Sequence, residues 1–319
     1  MFPVSENLKH RLREVNLELR HIFDEPEAES SLIRGKLAAL GSFFTVRKWS
    51  DAELTAWLDG TSIMGVDGSV NSTTGPHPHN LSLFQALAKG TTGEEEWGAD
   101  VYTPLLAAEE EQEEGGMLAR EARKRGAQLS GLELDVAKKA MITYRPKVMM
   151  MDGSLLHFQM DDWHKWQEVR KVALEQGVLL IGVSEEIGTR GIAQKLYPKH
   201  PGRSDREFLY GRLMMGEGFE SKHYTSMGEG MWKVAFRSSL SPQPIGVDGL
   251  IEQQAQQQEL MDLLYTLTPE QGRGIPLWLD IVDSEVRVTN QLLHAMIEQY
   301  IDPALRHRLF LSKRADRVI

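Results

Sequence analysis

Two short apolar runs in this sequence end in the same three residues. Ile63-Met64-Gly65-Val66 leads into Asp67-Gly68-Ser69, and Val148-Met149-Met150-Met151 leads into Asp152-Gly153-Ser154. Such runs read as strands buried on both faces of a parallel sheet. The carboxyl ends of those strands are where α/β folds bind ligands. Glycine lets the backbone turn, and serine can hydrogen-bond back to it. A single Asp-Gly-Ser is ordinarily a plain turn; two of them on candidate central strands single out Asp67 and Asp152 as a pair. A third carboxylate stands out by position. Leu129, Leu132, Val136, Ala137 and Ala140 recur at helical spacing, and Glu133 falls inside that stripe. A buried Glu is costly unless it is paired or binds a metal; the alternatives are a place at the stripe's edge or an Arg partner. If Glu133 points at the same strand ends, three carboxylates converge. Their repulsion calls for a divalent cation, and oxygen-only ligation favours Mg²⁺ or Mn²⁺ over zinc. A centre of that kind polarises a phosphate and generates hydroxide from water.

Basic residues gather further along. Arg190, Lys195, Lys199, Arg203, Arg206, Arg212 and Lys222 outnumber the acids between them. The reading is either a solvated face or a groove that grips a nucleic-acid strand, with Tyr197, Tyr210 and Trp232 either stacking on bases or packing in the core. Other chemistries find no support. His77-Pro78-His79 lies in a Pro-rich turn, and His157 and His164 lack zinc-pair spacing. No G-x-S-x-G elbow activates Ser69 or Ser154, and there is no Walker A motif, so an ATP motor must come from a partner.

The elements that must position these residues can be read coarsely. Leu8, Leu12, Val15 and Leu19 give a helical stripe, and Ser50 with Glu53 forms a capping-box start, so residues 1–60 read as a helical segment. After the turn-rich stretch 71–80, residues from about 81 to 142 read as a helical insertion that includes the acidic run Glu109–Glu114, taken as a solvated face. A helix over Trp163–Gln176 between strands Val148–Met151 and Val178–Val183 implies a parallel crossover. Trp232–Arg237 alternates as a strand, and Leu250–Leu267 and Asp283–Tyr300 read as helices. The stretch 301–319, with Arg306, Arg308, Lys313, Arg314 and Arg317, reads as a mobile basic tail.

Composition sets the bounds. The 319 residues carry 36 Lys+Arg against 46 Asp+Glu, a net charge of −10. A chain this acidic should not coat nucleic acid nonspecifically, although a local basic channel stays possible. There is no cysteine, which excludes disulfide scaffolds, zinc ribbons and thiol catalysis and fits a reducing cytoplasm. No window approaches the roughly 20 apolar residues of a membrane span, and the N-terminus lacks a signal-peptide pattern.

The order and spacing of several pieces resemble the NurA nucleases. These are Ile63–Ser69, the helix around Leu132-Glu133, Val148–Leu155, Ile181-Gly182-Val183-Ser184, Ser204–Leu209, the strand ending Phe236-Arg237, and Ile275–Leu279. The resemblance runs from about residue 60 to 300. It implies an α/β fold with an RNase H-like mixed sheet flanked by helices, and a Mn²⁺-dependent (or Mg²⁺-dependent) DNA nuclease with 5′→3′ exonuclease activity. It further implies a homodimer working with a HerA-type hexameric ATPase on double-strand breaks. Residue by residue, Asp67, Glu133 and Asp152 match the family's metal-binding carboxylates. The family's late motif, Tyr-Pro with a His about seven residues on, is Ile275-Pro276 here, and the seventh residue on is Asp283, with Asp280 the other carboxylate in reach. The resemblance thus implies Asp67, Glu133, Asp152 and Asp283 as catalytic metal ligands, and Arg190, Lys195, Arg203, Arg206 and Arg237 as DNA contacts. A Lys common after the third strand is replaced by Glu185-Glu186. Two rival readings remain: a catalytically impaired scaffold on the ATPase, and an actin-like phosphotransferase.

Overall fold

The computed structural model describes residues 4–23, 27–75, 77–106, 117–196, 198, 203–221 and 230–310. The acidic run 109–114, Tyr197, Lys199, His200, Lys222, His223 and the basic residues beyond 310 lie outside the described residues.

Helices α1 (Glu6–Phe23) and α2 (Glu27–Leu40) precede strand β1 (Gly41–Thr45) and helix α3 (Asp51–Leu58). The capping box is present: the Ser50 hydroxyl accepts from the Glu53 N–H, and the Glu53 carboxylate accepts from the Ser50 N–H. Strands β2 (Ile63–Ser72), β3 (Ser82–Gly90) and β4 (Glu95–Tyr102) follow, then the long helix α4 (Met117–Tyr144). Next come β5 (Val148–Asp152), α5 (Leu155–Asp161), α6 (Trp163–Gln176), β6 (Leu179–Ser184), α7 (Gly191–Leu196) and α8 (Asp205–Leu209). The chain closes with β7 (Glu217–Ser221), β8 (Met231–Arg237), β9 (Ile245–Leu250), α9 (Gln257–Leu267), α10 (Leu277–Val286) and α11 (Asn290–Tyr300).

The nine strands among the described residues form one sheet in the order β1-β7-β8-β9-β6-β5-β2-β3-β4. The meander β2-β3-β4 is antiparallel, while β5 and β6 run parallel to β2. The expected crossover is therefore present, with α5 and α6 joining β5 to β6. The remaining strands extend the β6 side in antiparallel fashion. Central strand β5 is apolar on both faces because both are covered. Met149 and Met151 pack under α4, α5 and α6 with Ala137, Met141, Phe158 and Trp166. Val148 and Met150 pack on the opposite side with Leu260, Leu264 and Leu279 from α9 and α10.

Four expectations are corrected. Residues 82–102 are a β-hairpin and not the start of a helical insertion; among the described residues of that stretch α4 is the one α-helix. Leu, Ala, Gln, Lys and Glu favour helix locally, but the strand pairing of β3 on both sides overrides that preference. The N-terminal segment is not purely helical, because Phe43 and Phe44 sit in β1, the edge strand of the sheet. The expected helix Asp283–Tyr300 is two helices broken at Arg287–Thr289, where Thr289 caps α11. The expected mobile tail is anchored over its first part: residues 303–310 form helical turns, and Phe310 is buried against Leu81, Leu293 and Ile297.

Candidate active site at the ends of the central strands

The twin Asp-Gly-Ser motifs do different structural jobs. In β5 the strand ends at Asp152 and Gly153 turns the chain with φ +128°, a conformation that favours glycine. In β2 the motif is not a turn: the strand continues to Ser72 beside β3. Its parallel pairing with β5 ends at Val66 opposite Met151. Asp67 and Asp152 are therefore neighbours in register, one residue beyond the last pair, where the two strands part.

Two helices bring further carboxylates to this point from opposite faces of the sheet. A side chain at Gly65 would meet Leu279, Val282 and Trp278, so α10 lies over the face that also carries Asp67, two residues on. Asp283 belongs to that helix. The other face of β2 meets α4. A Cβ at Gly68 would stand 2.5 Å from Glu133 Oε1 and 2.8 Å from Leu129, so the missing side chain is the space through which Glu133 reaches the strand. Glu133 is buried, so it lies within the helical stripe and not at its edge.

The electrostatics follow from burial and mutual repulsion. Asp67 is buried, and burial together with the Asp283 charge outweighs the Gly68 N–H bond at 2.7 Å, raising its pKa to about 6. Asp152 is raised to about 7 by burial and by the charges of Asp67 and Asp283. Glu133 is pushed well above the carboxylate range by burial, then by Asp67, Asp152 and Asp161. Asp152 thus feels Asp67 and Asp283, and Glu133 feels Asp67 and Asp152. Asp280 does not join them: it is paired with Arg273, which also holds Glu185 at 3.2 Å. Arg287 pairs with Asp283 one turn away on α10. Arg273 and Arg287 temper Asp67 from the rim, and neither is ion-paired to it or to Asp152.

The donor set fits a hard divalent cation. It offers carboxylate oxygens only, from the sheet and two helices, with ionisation opposed by the neighbours a cation would neutralise. In their present rotamers, no three His, Cys, Asp or Glu side chains among the described residues enclose a cation-sized point. Asp67 is turned to the Gly68 N–H and Asp283 to Arg287.

Sequence reasoning missed Asp248, although its signal was there: Gly65-Val66-Asp67-Gly68 recurs as Gly246-Val247-Asp248-Gly249. Asp248 is buried in β9 opposite Gly182. Its carboxylate accepts from the Leu155 N–H at 2.9 Å and from the Ser154 hydroxyl, and lies 3.4 Å from Lys233 Nζ. Lys233 also donates to the Ser154 hydroxyl at 3.0 Å. Burial raises the Asp248 pKa against the pull of Lys233 and the two hydrogen bonds. This cluster fixes the turn directly after Asp152. Ser69 and Asn71 hold the break after α10 in a similar way: Ser69 accepts from the Val288 N–H at 2.9 Å, and Asn71 donates to the Val288 carbonyl at 3.0 Å.

The expected DNA contacts do not share one place. Arg190 and Arg206 face a common cleft beyond β6, and Lys195 is exposed on α7. Arg203 precedes α8 and is half-buried. Arg237 serves the scaffold: its guanidinium donates to the carbonyls of Leu213, Leu240 and Ser241 at 2.9–3.0 Å, which ties together the loops at the end of β8. Trp232 is buried against Gly249, so it packs in the core and is not available to a base.

Comparison with known proteins follows this geometry. Residues 61–288 match the NurA domain family. The crystal structure of the NurA nuclease from Sulfolobus solfataricus superposes with a TM-score of 0.60 at 13% identity, covering 96% of this chain and 98% of that one. The catalytic domain of human endonuclease V gives a TM-score of 0.39 at 15% identity, covering 87% and 100% respectively. No curated protein matches the chain in sequence. The antiparallel hairpins β2-β3-β4 followed by parallel β5 and β6 are the RNase H-like core that the family resemblance implied.

Proposed function

Since the chain belongs to the NurA domain family, we propose that it is a metal-dependent nuclease that hydrolyses DNA phosphodiesters. The observation that carries this reading is the meeting of Asp67, Glu133 and Asp152, with Asp283 beside them, where β2 and β5 separate. A Mn²⁺ or Mg²⁺ ion held there would supply a Lewis acid for a phosphoryl oxygen and an acidified water. Asp67 and Asp152 would hold it from the sheet, Glu133 from α4 and Asp283 from α10. At neutral pH without a cation, the raised pKa values mean that protons partly occupy these carboxylates. Arg273 and Arg287 stand at the rim, where a substrate phosphate would approach, and Arg190, Lys195, Arg203 and Arg206 would grip the strand beyond it. The finer reading is a 5′→3′ exonuclease acting as a homodimer with a HerA-type hexameric ATPase at double-strand breaks, in the cytoplasm. No described helix is long and apolar enough to cross a membrane.

The test is cleavage of end-labelled DNA oligonucleotides with Mn²⁺, using wild type, Asp67→Asn and Asp152→Asn. Wild type should shorten the labelled strand, and each variant should lose at least about a hundredfold in rate. Wild type that leaves DNA intact with Mn²⁺ and a HerA-type ATPase present would refute the nuclease reading and favour the scaffold.

A further inference from the structure

Beyond the end of β6 lies a cleft of about 610 Å³ that none of the carboxylate chemistry uses. Glu186, Arg190, Arg206, Tyr210 and Gln243 line it. Its lining residue Glu186 follows Glu185, which Arg273 ties to α10 through Asp280. Its walls are held by buried groups. Asp205, fully buried at the start of α8, accepts from the Thr189 hydroxyl at 2.6 Å and the Ala193 N–H at 2.8 Å. Its own N–H donates to the Thr189 carbonyl at 2.8 Å. A carboxylate buried solely to fasten a surface loop makes that loop a fixed platform, and the loop carries Arg190. The Ser184 hydroxyl fixes the adjoining turn through the Glu186 carbonyl at 2.7 Å.

The cleft offers the two things a nucleotide unit needs. Arg190 is exposed and engaged in no ion pair among the described residues. Tyr210 is 55% exposed at the rim, an aromatic face turned to water. Arg206 is bonded to the Glu186 carboxylate, whose side chain is 71% exposed. A solvent-exposed pair of that kind is weakly held, and a phosphate offers its guanidinium a comparable pair of acceptor oxygens. We propose that this cleft is a nucleotide subsite. In it a strand phosphate binds Arg190 and displaces Glu186 from Arg206, and its base stacks on Tyr210. Glu186 is then an internal stand-in for the phosphate, which sets the subsite's affinity. The subsite deepens the nuclease reading, and it is tested apart from that reading because binding needs no cleavage.

The experiment is fluorescence anisotropy of full-length protein with labelled single-stranded oligonucleotides in EDTA, which prevents hydrolysis. Arg190→Ala should weaken binding about tenfold and lower the salt slope by about one. Tyr210→Ala should cost about tenfold, largely restored by Tyr210→Phe. Glu186→Gln should tighten binding several-fold, an effect that a merely structural role for this surface would not produce. Losses confined to 5′-phosphorylated strands place the terminal phosphate in the cleft; equal losses with 5′-hydroxyl strands place an internal one. Both results support the subsite. If Arg190→Ala and Glu186→Gln each leave the Kd within about twofold of wild type, the subsite is overturned. Loss of cleavage by Asp67→Asn is read separately, in Mn²⁺, and reports on the carboxylate centre alone.

Discussion

Replacing Asp152 by Asn should stabilise the metal-free protein at alkaline pH. The carboxyl group rises from an ordinary 3.8 to about 7 in the folded state. A rise of about three, at about 1.36 kcal/mol for each tenfold change in proton affinity, gives about 4 kcal/mol of preference for the neutral form. The sign follows from linkage. A carboxyl whose folded pKa is raised binds protons better folded than unfolded, so its stabilisation is present below about pH 4 and is lost as pH climbs to about 7. Wild type should therefore lose stability through that window and level off above it. The amide of Asp152→Asn imitates the protonated group and removes this contribution to the slope. It also removes the repulsion between Asp152 and Asp67. At about pH 8 the variant should be the more stable by up to about 4 kcal/mol. Urea denaturation at intervals from about pH 4 to about pH 9 in EDTA measures both curves. Adding millimolar Mn²⁺ at about pH 8 should raise the wild-type midpoint and leave the variant's nearly unmoved. A flat wild-type curve, or a variant no more stable than wild type at the alkaline end, would show that neither burial nor mutual repulsion raises this carboxyl group.

Gly68→Ala should push Glu133 out of its slot, costing about 1–3 kcal/mol and lowering Mn²⁺ affinity more than Ala substitution at exposed Gly188, as isothermal calorimetry would read. Asp248→Asn should destabilise by about 3 kcal/mol because Lys233 is left buried without its charge partner. Adding Lys233→Met should recover more than half of that loss in the same denaturation experiment. Arg34→Ala strands the buried Glu217 carboxylate, whose partner is itself 40% exposed, so the loss should be about 2 kcal/mol after allowing for solvent screening, and Glu217→Gln in the same background should restore much of it.

The strands that carry the centre were legible because their neighbours on both faces are apolar. Val148–Met151 and Ile63–Val66 leave no polar face, and that pattern fits a covered parallel pair. Glu133 was legible as a carboxylate in a helix stripe, and α4 does bury it. The hairpin 82–102 was hidden because its residues favour helix locally and the strand it extends is fixed by pairing elsewhere in the sheet. Asp283 emerged only from a loosely spaced motif, since nothing local shows that α10 crosses the face of β2 at Gly65. Asp248 sat in plain view within a repeated Gly-Val-Asp-Gly, yet its role depends on pairing across the sheet with Gly182, which no local pattern encodes.

The centre itself is tested most directly by an anomalous difference map from crystals equilibrated with Mn²⁺. The arrangement of strands and helices predicts a peak between Asp67 and Asp152, with a Glu133 oxygen in its coordination sphere. Saturating Mn²⁺ with no peak there, or with its ordered ions bound elsewhere, would contradict the account.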